Sequence, residues 1–170
     1  IRPGGATTEL DRDPADNLVG VTDPELNATT YVPDDLGRRT EVHSPDAGIT
    51  TYIHDPADNV TSRTDANNVT ATYGYDALNR LTSVVFPDSS QNLSYGYDAG
   101  TYGKGRLTSA TDPAGNSGFD HDALGRVTSE DRVTGGVAYQ TGYAYDPATG
   151  DLSGMTYPSG LTLDFQYDAN

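Results

Sequence analysis

The chain has 170 residues, of which 10 are Lys or Arg, 25 are Asp or Glu and none is Cys, for a formal net charge of −15. This balance excludes the basic face that nucleic-acid binding needs, a polybasic membrane site, and disulfide or thiolate-metal chemistry; no apolar run approaches the roughly 18 residues of a membrane-spanning helix. Apolar residues make up only 34%, yet 12 Tyr, 3 Phe and 21 Asp against 4 Glu read as short strands joined by tight turns rather than as disorder.

The first predicted hairpin ends one strand at Leu10-Asp11-Arg12, turns through Asp13-Pro14-Ala15-Asp16 and opens a second strand at Leu18. The same unit recurs with its turn at Asp34, Asp55, Asp76, Asp98, Asp122, Asp146 and Asp168, in steps of 21, 21, 21, 22, 24, 24 and 22 residues. A fixed period of this length is the mark of a repeat architecture.

Three residues before the anchors stand Leu10, Tyr31, Tyr52, Tyr73, Tyr95, Phe119, Tyr143 and Phe165. One residue before them stand Arg12, Pro33, His54, Tyr75, Tyr97, His121, Tyr145 and Tyr167. Positions two apart share one face of a strand, so these columns predict a buried aromatic face. The column between them (Asp11, Val32, Ile53, Gly74, Gly96, Asp120, Ala144, Gln166) is mixed, as an exposed face would be.

Each anchor Asp opens a type I turn closed by Asn, Asp or Gly in the left-handed conformation. The second strands begin at Leu18, Arg39, Val60, Leu81, Leu107, Val127 and Leu152, commonly followed by Thr and Ser. Second turns follow at Pro45-Asp46-Ala47-Gly48, Asp112-Pro113-Ala114-Gly115 and Tyr157-Pro158-Ser159-Gly160, with a longer one expected at Gly135-Gly136. Four extra residues fall between Asp98 and Arg106 and one between Asp146 and Asp151. Eight repeats predict about 16 strands, and no segment has a helical period.

Tyr73-Gly74-Tyr75-Asp76-Ala77-Leu78-Asn79-Arg80-Leu81-Thr82-Ser83 and Asp122-Ala123-Leu124-Gly125-Arg126-Val127-Thr128-Ser129 resemble the YD repeat of the RHS/YD-repeat family. That family includes bacterial RHS polymorphic toxins, the C subunits of insecticidal toxin complexes, wall-associated proteins and teneurins. The resemblance implies an all-β strip of antiparallel hairpins spiralling as part of a shell or tube. It also implies an extracellular or cell-surface setting, a bacterial source, and a non-catalytic structural role in enclosing a toxin or mediating surface contact. Partners would be other YD repeats of the same chain or neighbouring copies, with an enclosed cargo. The family's self-cleaving module carries DPxGL; the nearest match, Asp112-Pro113-Ala114-Gly115-Asn116, lacks the Leu, so that activity is not carried over.

Other readings are weaker. His54 and His121 stand in a Tyr column and read as ring substitutes, and His43 has no column; together they make no metal motif. Asp11-Arg12-Asp13-Pro14-Ala15-Asp16 lacks the Gly and distant Glu of a calcium loop. Paired carboxylates (Asp34 with Asp35, Asp120 with Asp122) are turn registers, and neither a catalytic constellation nor a cofactor is expected; an enzyme fragment remains a remote alternative. A stacking surface for surface glycans is the alternative use of the aromatics. Asn27, Asn59, Asn68 and Asn92 open glycosylation sequons. Ile1-Arg2-Pro3-Gly4-Gly5 aligns just before a second turn, and Tyr167-Asp168-Ala169-Asn170 falls inside a first turn. Residues 1–170 therefore read as a single array, an excerpt of a longer chain or a unit of a continuing assembly.

Overall fold

The computed structural model describes residues 7–168, so the N-terminal Gly4-Gly5 turn and Ala169-Asn170 lie outside the described residues. Apart from one turn of 3-10 helix at Ser89–Gln91, the regular structure is entirely β. The chain divides into two compact units, residues 1–89 and 90–170.

The first unit holds β1 (Glu9–Arg12), β2 (Leu18–Thr22), β3 (Ala28–Pro33), β4 (Arg39–Ser44), β5 (Gly48–His54), β6 (Val60–Thr64), β7 (Thr70–Tyr75) and β8 (Leu81–Val85). The second holds β9 (Leu93–Tyr97), β10 (Leu107–Asp112), β11 (Gly115–His121), β12 (Val127–Thr134), β13 (Val137–Tyr145), β14 (Leu152–Thr156) and β15 (Thr162–Asp164). Within each unit every strand pairs antiparallel with its neighbours in sequence. The described residues form fifteen strands, in keeping with the expected number of about sixteen.

One irregularity recurs in every first hairpin. Val32 faces Glu41 and Pro33 faces Arg39, so Thr40 has no partner across the ladder. Val19, Thr61, Thr82, Thr108, Thr128 and Ser153 are the equivalent bulged residues. This explains the Thr that follows the opening Leu or Val. At a bulge a backbone acceptor loses its regular donor, and a hydroxyl can replace it. Thr40, Thr61 and Thr108 Oγ1 donate to the carbonyls of Val32 (3.0 Å), Ile53 (3.2 Å) and Gly96 (3.2 Å).

Two expectations are corrected. Gly135-Gly136 is not a longer turn: Thr134 pairs directly with Val137, leaving a two-residue loop. Both glycines have positive φ, 56° and 77°, the conformation whose twist matches a hairpin, so the extra residues lengthen β12 and β13 instead. The aromatic face is also not enclosed. Tyr31, Tyr52, Tyr73, Tyr95, Phe119, Tyr143 and Phe165 are each half-buried, because neighbouring strands flank them but no second layer lies over them within a unit. Among the described residues the buried apolar side chains are Ala71 and Val84, beside and opposite Tyr73. The other face is open, with Ile53 63% exposed.

Candidate functional site

The repeated chemistry lies along the first turns. Asp34 Oδ1 accepts the amides of Leu36 and Arg38, both at 2.9 Å. Its Oδ2 accepts Arg38 Nε at 2.7 Å and lies 2.6 Å from Nη2, a two-pronged pair of the kind that fixes geometry as well as charge. Asp76 and Asp122 repeat this clamp with Arg80 and Arg126. In Asp13 and Asp55 the fourth residue on is Asn, and Nδ2 of Asn17 or Asn59 takes the guanidinium's place. Each turn closes with a left-handed residue: Asp16, Gly37, Asp58, Asn79 and Gly125 have φ of 68°, 78°, 70°, 59° and 86°.

Asp146 holds the amides of Ala148 and Thr149 across its one-residue insertion. Asp98 reaches across its longer loop to the amide of Gly105 at 2.6 Å. Asp168 is exposed. Asp23 and Asp65 build the same amide clamp in second turns, which the anchor spacing had not marked.

The residue four beyond the anchor does more than hold its own turn. Arg38 Nη1 donates to the carbonyl of Asp55 in the next repeat (3.0 Å), Asn59 Nδ2 to Asn79 Oδ1 (2.9 Å), and Arg126 Nη1 to the carbonyl of Gly150 (3.0 Å). Glycine at the closing position makes room for this. A Cβ on Gly37 would lie 2.7 Å from Asn17 Oδ1, and one on Gly125 would lie 2.0 Å from Arg106 Nη2. Sequence reading missed this column, although Asn17, Arg38, Asn59, Arg80 and Arg126 stand in plain register.

The second link crosses the sheet. Tyr75, Tyr145 and Tyr167 donate their hydroxyls to the carbonyls of Val60 (2.9 Å), Val127 (2.8 Å) and Leu152 (3.0 Å), each the opening residue of the preceding repeat's second strand. The Arg126 guanidinium also sits 4.3 Å from the centroid of the Tyr145 ring, within cation–π range. Burial pushes the Tyr75 and Tyr143 phenols up. These hydroxyl links belong to the column next to the anchor. The column two residues earlier supplies area: Tyr31 faces Val42, Tyr73 faces Val84 and Tyr143 faces Met155.

The remaining candidates do not converge. His43 Nε2 pairs with Glu41 at 2.7 Å on its own strand. His121 Nδ1 is buried without a hydrogen-bond partner. Asp120 accepts Ser129 Oγ at 3.2 Å, whereas Asp122 is committed to its turn. Among the described residues no group of His, Asp or Glu has the geometry to hold a metal ion.

The clamps make stability depend on acid. Hydrogen bonds from the side chains of Asn17, Arg38, Asn59 and Arg132 lead in holding Asp13, Asp34, Asp55 and Asp112 below the ordinary carboxylate value. Backbone amides lead at Asp76 and Asp146; at Asp122 burial pushes upward, and the Arg126 amide and guanidinium outweigh it. A carboxyl lowered on folding stabilises the fold above its unfolded value, about 3.9, and that contribution is lost as pH falls through the folded value. The melting temperature is therefore expected to be flat from about pH 7 to 5 and to fall steeply below about pH 4. Asp55→Asn keeps an acceptor for the Ala57 and Asn59 amides; it should lower the melting temperature at neutral pH and shrink the acid drop.

The family described as RHS Repeat matches residues 12–49, 54–91 and 102–138. Among solved structures, the crystal structure of TcdB2-TccC3 superposes with a TM-score of 0.81 at 20% identity, over 96% of this chain and 10% of that one. The crystal structure of TcdB2-TccC3-TEV gives 0.78 at 20% identity over the same shares. At this identity the likeness is one of fold, and the chain spans about a tenth of the length of those it matches. No curated protein matches the chain.

Proposed function

The chain belongs to the RHS repeat family, and on that premise we propose that it is a wall segment of a YD-repeat shell or fibre, non-catalytic, at the cell surface or outside the cell. Its partners are further YD repeats, in the same chain or in neighbouring copies, and the shell they build has room for a cargo. In this reading residues 1–170 are one array within a longer polypeptide or assembly, and the anchor aspartates and aromatic ladder serve structure.

The observation that carries the reading is the coupling of successive repeats within each unit through in-register residues. Arg38 reaches the Asp55 carbonyl, Tyr75 the Val60 carbonyl and Tyr145 the Val127 carbonyl. Such nearest-neighbour coupling makes a wall that extends by adding repeats, with stability growing as a sum of local terms. The test is the native particle, purified from its source and examined by denatured mass and electron microscopy. A hollow shell, tube or filament is expected. A single 18.0 kDa chain that stays a small monomer at every concentration would sink the proposal.

A further inference from the structure

Three repeats show what fills the space beside the anchor. Tyr75, Tyr145 and Tyr167 each lay a phenol against the preceding repeat and hydrogen-bond its carbonyl at 2.8–3.0 Å. In the second repeat the residue at this register is Pro33. The proline ring ends well short of where a phenol would lie. The space is an open-sided cavity of about 260 Å³, lined by Asn17, Leu18, Tyr31, Pro33, Gly37 and Arg39.

Two of the walls have counterparts in the occupied slots. Leu18 opens β2 opposite Arg12, the register held by Val60, Val127 and Leu152, whose carbonyls receive the tyrosine hydroxyls. Asn17 stands where Arg126 covers the Tyr145 ring, four residues beyond its anchor. Tyr31 makes the side wall, with the Arg39 guanidinium 4.8 Å from its centroid.

We infer that this cavity is a binding site for a p-hydroxyphenyl group, seated as Tyr75 is in its own repeat, with its hydroxyl donating to the Leu18 carbonyl. A vacated side-chain space accepts a small molecule of the missing shape, and the three filled slots define that shape. The ligand class is a phenol, whether a free small molecule or the tyrosine side chain of another polypeptide. The inference does not depend on the shell reading.

The test is titration of the folded chain with p-cresol, the tyrosine side chain as a free molecule, followed by amide NMR. Saturable shifts at Leu18, Tyr31 and Arg39 are expected. Toluene, which lacks the hydroxyl, should bind about fivefold more weakly, the worth of one hydrogen bond. Pro33→Tyr should fill the slot from within, abolish p-cresol binding and raise the melting temperature. N-acetyltyrosinamide separates the sources: binding like that of p-cresol points to a partner's tyrosine, and binding of p-cresol alone points to free phenols. The inference falls if the shifts do not saturate or map elsewhere, if toluene matches p-cresol, or if binding survives unchanged in a folded Pro33→Tyr variant.

Discussion

Replacing Tyr145 with Ala should destabilise the second unit by about 2–3 kcal/mol, and replacing it with Phe by about 1 kcal/mol. The two numbers separate ring from hydroxyl. Full burial of an aromatic ring is worth about 3–5 kcal/mol on truncation; Tyr145 is half-buried, so the lower figure applies. Phe keeps the ring and its contact with the Arg126 guanidinium, but leaves the Val127 carbonyl without its 2.8 Å donor. Urea unfolding of the three proteins measures both steps. The Tyr145→Ala and Arg126→Ala effects should not add, because Arg126 also holds Asp122 and the Gly150 carbonyl and neighbours in one network couple. A neutral Tyr145→Phe would mean that the hydroxyl contributes nothing and that the ring alone carries the contribution of Tyr145.

Turns and strand count were legible in the sequence because their chemistry is local. Asp at the first turn position and Asn, Asp or Gly at the fourth are demanded by amide donors and by positive φ, so the spacing of Asp13, Asp34, Asp55, Asp76 and Asp122 located five hairpins. What the sequence hid is relational. The Thr after most of the opening residues was visible, but its reason lies in a bulge seen only when both strands are laid side by side. Arg38 could be assigned to Asp34 from spacing alone; that its other nitrogen reaches Asp55 depends on how one repeat stacks on the next. The column next to the anchor looked like a second aromatic stripe, and its hydroxyl links appear only across the sheet.

The aromatic face was read too simply for a related reason. Period-two patterning says which side chains share a face but not whether anything lies over that face. Gly135-Gly136 was misread because a two-residue and a longer loop carry the same glycines; the choice between them was set by how far β12 and β13 continue to pair. The vacated slot at Pro33 was likewise visible as a break in the Tyr column, but its meaning required the three occupied slots for comparison.

Gly115→Ala carries the largest expected cost, about 4 kcal/mol or more. Gly115 closes the Asp112-Pro113-Ala114 turn at φ 149°, and a Cβ there would lie 1.8 Å from the Val133 carbonyl oxygen. That oxygen is backbone, held in the β11–β12 ladder through the Asn116–Val133 and Gly115–Thr134 pairs, so no side-chain rotation relieves the clash. The same turn collects further bonds: Asp112 Oδ1 accepts the amides of Ala114 and Gly115 and Arg132 Nη2 at 2.7 Å. Moving Gly115 aside therefore strains the Arg132 pair as well. Gly135→Ala is the control. Its φ is also positive, 56°, but nothing lies within 4 Å of the added carbon, so only the left-handed backbone cost of about 1–2 kcal/mol applies. Hydrogen exchange should show Gly115→Ala loosening β10 to β12 while leaving β1 to β8 protected, with Gly135→Ala causing a distinctly smaller loss of protection. If the two variants lose equal stability, the close approach of the Gly115 backbone to Val133 is not what requires glycine at this turn.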